Sequence, residues 1–229
     1  MLRFLTAGES HGPCLVAIVE GLPAGLTVDV EAINRDLTRR QSGYGRGGRI
    51  KIERDRVEIL SGVINGQTTG APVSLRIVNR DWPNWRDRWT AGDLPPLTIP
   101  RPGHADYAGM VKYGLDDARS VLERASARET AARVAVGALA KQLLAAFGVA
   151  VGSYVTEIGG VVAPIPDQPA RGSQSHKAGH GSDRRLQLAC VKVESLVIAD
   201  QPRRGEYVLG PCTHRPSHHE SWLYPKSMI

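Results

Sequence analysis

Apolar residues in the first half of the chain fall into short runs bounded by glycine or charge. Leu2 to Thr6 and Leu15 to Val19 read as strands on that pattern. Asp29 then stands where a helix N-cap belongs, ahead of Val30, Ile33 and Leu37 at helical spacing. That helix ends in Arg39 and Arg40, and the glycine-rich loop Gln41 to Arg49 follows. Ile50 to Glu53 and Val57 to Leu60 alternate apolar and polar residues, which predicts a hairpin around Asp55, and Val73 to Val78 predicts another strand. Strands in succession with no helices between them favour antiparallel pairing, hence an α+β fold over a doubly wound sheet.

The second half changes period. From Asn79 to Gly103 the chain reads as an irregular loop holding Trp82, Trp85, Trp89 and five prolines, and its tryptophans argue that it packs. A long helix is predicted over Ala127 to Phe147, with Ser126 and Glu129 as a capping box and Gly148 at its C′ position. Its alanines (Ala131, Ala132, Ala135, Ala138, Ala140) permit close packing, and a strand over Val149 to Ile158 follows. After Gln168 the chain turns polar and rich in Gly, Ser, His and Arg, and five of the seven histidines lie there. We therefore divide the chain into 1–168 and a poorly specified segment, 169–229, of the kind a frameshift or truncation would leave.

Bulk properties narrow the function. No apolar run approaches the roughly 20 residues needed to span a membrane, and the first residues lack a signal-type apolar region, so a cytoplasmic protein is expected. The 3 cysteines form no CxxC pair, which argues for reduced thiols. His176 with His180, or Cys212 with His214 and His218, have spacings that zinc can use, but the surrounding Gly, Ser and Pro give ligands no rigid support, and no metal is expected. Net charge is +6 and arginine supplies most of it. A basic chain attracts anions, and the planar guanidinium holds phosphate or carboxylate at two points. Nucleic acid, a nucleotide-like cofactor and a small phosphorylated acid all satisfy that charge.

Four segments could carry chemistry. In Gly8-Glu9-Ser10-His11-Gly12, serine and histidine are neighbours, yet neighbours on a strand point to opposite faces, so a Ser–His hydrolase pair is disfavoured. Arg39 to Arg49 (RRQSGYGRGGR) mixes arginines that neutralise an anion with glycines that let backbone approach it; a solvated basic loop and a nucleic-acid contact are the alternatives. In Arg101-Pro102-Gly103-His104-Ala105-Asp106-Tyr107, Asp106 is close enough to orient the imidazole of His104. Arg124 to Thr130 (RASARET) sets Arg124 and Arg128 beside the start of the long helix, where its positive dipole disfavours cations, and a bound anion would offset that cost.

Taken together and in order, these segments resemble chorismate synthase. GESHGPCLVAIVEGLP from Gly8 is similar to that family's first signature, RRQSGYGRGGR to its arginine loop, RPGHADYAG to its second histidine motif and ERASARETAARVAVGAL to its helix signature. The resemblance implies a sandwich of antiparallel sheets flanked by helices, a homotetramer, and a 1,4-trans elimination from 5-enolpyruvylshikimate 3-phosphate that gives chorismate and phosphate and needs reduced FMN. By position, His11 is similar to the histidine that protonates the departing phosphate and His104 to the one that protonates reduced flavin, both general-acid roles. Ser10, Arg40, Arg46, Arg101 and Arg128 match substrate contacts. Arg124, Ala125 and Ser126 match part of the FMN site, and Arg40 and Arg46 the place where NADP is bound. The family's later half, with further flavin contacts, has no counterpart visible in 169–229. The competing readings are a non-catalytic fragment of such an enzyme and an arginine-rich nucleic-acid binder. The second leaves both histidine motifs without a role, and neither nucleic acid nor membrane is expected as a partner.

Overall fold

The computed structural model describes residues 1–42, 48–158, 161–162, 191–199 and 210–211, which belong to two compact units, Met1–Leu143 and Leu144–Ile229. The first unit begins with β1 (Arg3–Ala7) and β2 (Cys14–Glu20), followed by α1 (Val30–Gln41) and β3 (Val57–Ser61). A two-stranded ribbon, β4 (Val63–Ile64) and β5 (Gln67–Thr68), leads to β6 (Val73–Val78). Four helices come next: α2 (Trp82–Ala91), α3 (Asp106–Tyr113), α4 (Arg119–Arg124) and α5 (Glu129–Ala145). The second unit holds β7 (Val149–Ile158), β8 (Val161–Val162), β9 (Val191–Ala199) and β10 (Gly210–Pro211).

Every pairing in the two four-stranded sheets is antiparallel, in the orders β1-β2-β6-β3 and β10-β9-β7-β8, as the α+β expectation required. Alternation along β2 and β6 turns Leu15, Ala17, Val19, Val73, Leu75 and Ile77 to one face. They share one apolar core with Ile33 and Leu37 of α1 and with Ala131, Ala135, Ala138 and Leu139 of α5. Each buried leucine or isoleucine there contributes about 1.5–3 kcal/mol, while the alanines of α5 keep that helix close to its neighbours. Asp29 caps α1 as expected, its Oδ1 accepting from the N–H of Ala32 at 3.0 Å.

Two expectations need correction. The hairpin around Asp55 does not form: Gly48–Lys51 is a 3₁₀ turn, and β3 pairs with β6 instead. Glu53 and Asp55 are buried among arginines, so their ion pairs override the alternation that suggested a strand. The tryptophan segment is not wholly irregular, because Trp82–Ala91 is helical; Pro83 lies in its first turn and Gly92 closes it at φ 68°. Helices α3 and α4 were unforeseen. At their contact, a Cβ placed on Gly109 would lie 2.5 Å from Cγ1 of Val121, so the two helices meet where only glycine fits.

The capping box of α5 is half made. Ser126 Oγ accepts from the N–H of Arg128 at 3.2 Å, whereas Glu129 turns away to Thr6 and Arg124. The proposed boundary at residue 168 lies outside the described residues, as do Arg46 and the tail's histidines and Cys212. No helix among the described residues is long and apolar enough to cross a membrane.

Candidate active site

The loop between β1 and β2 carries the first histidine. Gly8 begins it at φ 103°, a conformation that suits glycine, and lies against the backbone of Cys14 and Leu15. Ser10 is 1% exposed: its N–H donates to Glu123 O at 3.1 Å, and its hydroxyl accepts from Arg49 Nη1 at 2.9 Å. It makes no bond to His11, although the two residues lie in a turn and not on the strand expected from the sequence. His11 is held by α4 instead. Its backbone N–H donates to Glu123 Oε2 at 2.7 Å and its Nδ1 lies 2.8 Å from Glu123 Oε1. The ring packs on Trp85 of α2, centroids 4.2 Å apart and planes tilted by 41°.

Trp85 is itself fixed, since its Nε1–H donates to Asp81 Oδ2 at 3.1 Å. Burial pushes the Asp81 carboxyl up, but hydrogen bonds from Asn84 and Trp85 and the charges of Arg49 and His11 outweigh that, and the carboxyl lies below the ordinary range. Arg49 completes the circuit by touching Ser10, Glu53 and Asp81.

The second histidine sits at the start of α3. Arg101 grips both oxygens of Asp106, with Nε to Oδ2 at 2.8 Å and Nη2 to Oδ1 at 2.8 Å. His104 Nδ1 lies 2.9 Å from Arg101 Nη2 and 3.1 Å from Asp106 Oδ1, so it has a donor and an acceptor within reach. Hydrogen bonds from Arg101, chiefly those of its side chain, hold the Asp106 carboxyl below its ordinary range against the opposing effect of burial. The sequence expectation that Asp106 orients His104 agrees with this geometry.

The arginines are less open than the sequence suggested. Arg128 is buried, with Nη1 bonded to Asp55 Oδ1 and Nε donating to Asn79 Oδ1 at 2.8 Å. Arg40 reaches the other oxygen of Asp55 at 3.4 Å and donates to Thr130 Oγ1 and Ala127 O. Arg124 donates to Thr6 O and Gly8 O and pairs with Glu129. The anion expected at the start of α5 is thus the protein's own: Glu129 answers Arg124, and Asp55 with Glu53 answers Arg128. Of these guanidiniums Arg124 is the most open, at 40% exposure, and Ser126 stands two residues on, half-buried.

A model of the chorismate synthase family matches residues 2–201. The chain belongs to that family. Its four motifs lie within the match, which runs to residue 201, so the likeness does not stop near residue 168 as expected from the sequence. The chorismate synthase of Chlorobium phaeobacteroides (strain BS1) is 60% identical over 173 residues, 72% of this chain and 44% of the relative. That of Alkaliphilus metalliredigens (strain QYMF) is 59% identical over 210 residues, 90% of this chain and 54% of the relative. A chorismate synthase crystal structure superposes with a TM-score of 0.56 at 48% identity, covering 71% of this chain and 40% of that one. The chain spans about half the length of the curated relatives it matches.

Sequence reasoning missed Glu123, Trp85 and the carboxylates Glu53 and Asp55. Glu123 opens the ERASARET motif, yet nothing in its spacing signals a partner 112 positions away. Trp85 was seen only as packing.

Proposed function

We propose that the protein acts as a chorismate synthase, eliminating phosphate from 5-enolpyruvylshikimate 3-phosphate to give chorismate. The observation that carries this reading is the two braced histidines, His11 on Glu123 and His104 on Asp106, in a chain of this family. The His11 imidazole is steadied at Nδ1 by a buried carboxylate, an arrangement suited to proton transfer at the other ring nitrogen, and His104 Nδ1 is held between Asp106 and Arg101. In this reading His11 protonates the departing phosphate, so the broken C–O bond leaves a stable anion, and His104 serves the flavin.

At the start of α5 a flavin's phosphate would meet the Ser126 hydroxyl and the exposed part of the Arg124 guanidinium, which already pairs with Glu129, while the N–H of Ala125 is taken by the carbonyl of Val121. Reduced FMN, when bound, would supply electron density to the substrate as phosphate departs. By their motifs Arg101, Arg40 and Arg46 would complete the anion-binding set, with Arg40 and Arg46 also meeting NADPH. Arg40 would do so with the part of its guanidinium that Asp55 does not hold. Ser10 and Arg128 are buried and bonded to protein groups, and we read their part as holding Arg49 and Asp55 in place. We further place the protein in the cytoplasm as a homotetramer, acting in aromatic amino-acid biosynthesis on a small molecule.

The test is anaerobic turnover of the substrate with chemically reduced FMN, followed by the ultraviolet absorbance of chorismate. Product that disappears in His11→Ala and His104→Ala supports the reading. A folded chain that yields none would refute it.

A further inference from the structure

We infer that Glu123 is a positioning residue that fixes neutral His11 in the Nδ1–H tautomer, so that Nε2 is the atom that takes up and releases the catalytic proton. The inference rests on the reading of His11 as a general acid, but the tautomer can be observed without it. The Glu123 side chain is 1% exposed, and both hydrogen bonds described for its carboxylate come from His11. An ionised carboxylate only accepts, so the hydrogen between Oε1 and Nδ1 must belong to the imidazole. The bond from the His11 backbone N–H to Oε2 stops the carboxylate from rotating. A further bond, from the N–H of Ser10 to the carbonyl of Glu123, ties the loop to the helix that carries it.

The rest of the ring's surroundings agree. Trp85 covers one face, and the bond from its Nε1 to Asp81 keeps it there. Among the described residues, Nε2 has no hydrogen-bond partner, while the side chain remains 22% exposed. One nitrogen is therefore clamped and the other is left for a ligand. Position 104 differs, because Arg101 can donate to the same Nδ1 that Asp106 can accept from. A fixed tautomer is thus a property of His11, imposed by a carboxylate that has no competing donor among the described residues.

Glu123→Gln gives the inference a signed test. The backbone N–H of His11 still needs an acceptor, so the amide oxygen of Gln turns to it and the amide NH2 faces Nδ1. Nδ1 must then accept, and the hydrogen moves to Nε2. Long-range proton–nitrogen spectra of histidine-labelled protein, recorded at about pH 9 where an ordinary imidazole is neutral, read the tautomer directly. His11→Asn assigns the signals.

The expected result is the Nδ1–H form in the parent protein and the Nε2–H form in Glu123→Gln, with kcat lowered roughly 10- to 100-fold and KM little changed. The parent protein in the Nε2–H form would overturn the inference, and that measurement stands even if the variant fails to fold. A folded Glu123→Gln that keeps the Nδ1–H form would overturn it equally. If the tautomer shifts and turnover is untouched, the brace is upheld and the acid role of His11 fails instead.

Discussion

Arg128 and Asp55, 73 positions apart in the chain, form an ion pair with side chains only 5% and 0% exposed. The same Asp55 carboxylate reaches Arg40 through its other oxygen. Two arginines that the sequence offered to a ligand thereby meet on one internal anion. A buried ion pair adds little over a well-packed apolar pair, but breaking it strands a charge.

Arg128→Met should therefore lower the unfolding free energy by about 3–5 kcal/mol, because among the described residues Asp55 keeps only the longer contact to Arg40. Asp55→Asn added to that variant should recover part of the loss. Urea unfolding of the two variants and the parent measures both. A loss below about 1 kcal/mol would mean that the pair is not desolvated in solution.

Gly109→Ala should destabilise by about 1–3 kcal/mol, since its methyl group would collide with Val121 across the α3–α4 contact. Val121→Ala, which removes the colliding methyls, should make the glycine replacement milder. Melting temperatures of the single and double variants decide the point, and simple additivity would exclude the contact.

Asp106 links stability to acid. Its folded-state carboxyl lies below the ordinary value because of Arg101, so the stabilisation is fully present above the unfolded value. It is lost as pH falls through the lowered one. Arg101→Gln should flatten the stability curve below about pH 4 while reducing stability at neutral pH. Denaturant midpoints measured from about pH 2 to pH 7 test the sign; an unchanged acid limb would show that Arg101 does not hold the carboxyl down.

His104→Ala should lower kcat by about 100-fold or more if the imidazole transfers a proton, with far less effect on KM. Steady-state turnover under anaerobic conditions gives both parameters. An increase confined to KM would reassign His104 to substrate binding.

Local pattern carried the regular elements that own enough residues to show a period. The spacing of Ile33 and Leu37 behind the Asp29 cap, the alternation in β2 and β6, and the alanines of α5 each report which face is buried. Helices α3 and α4, at 8 and 6 residues, are too short for that signal. Helices of this length do not persist alone, and the Gly109–Val121 contact that holds them together is a property of the packed state.

The candidate site divides along the same line. By itself the sequence singled out the candidates for its chemistry, His11, His104 and the arginines, because motif spacing is local and survives in the linear chain. Only the tertiary structure decided their partners. Glu123 meets His11 from 112 positions away, and Arg128 finds Asp55 from 73. Charge composition gives the number of cations and anions but not their distances. Pairing of buried charges depends on which elements the core brings together, and desolvation then makes each pairing matter.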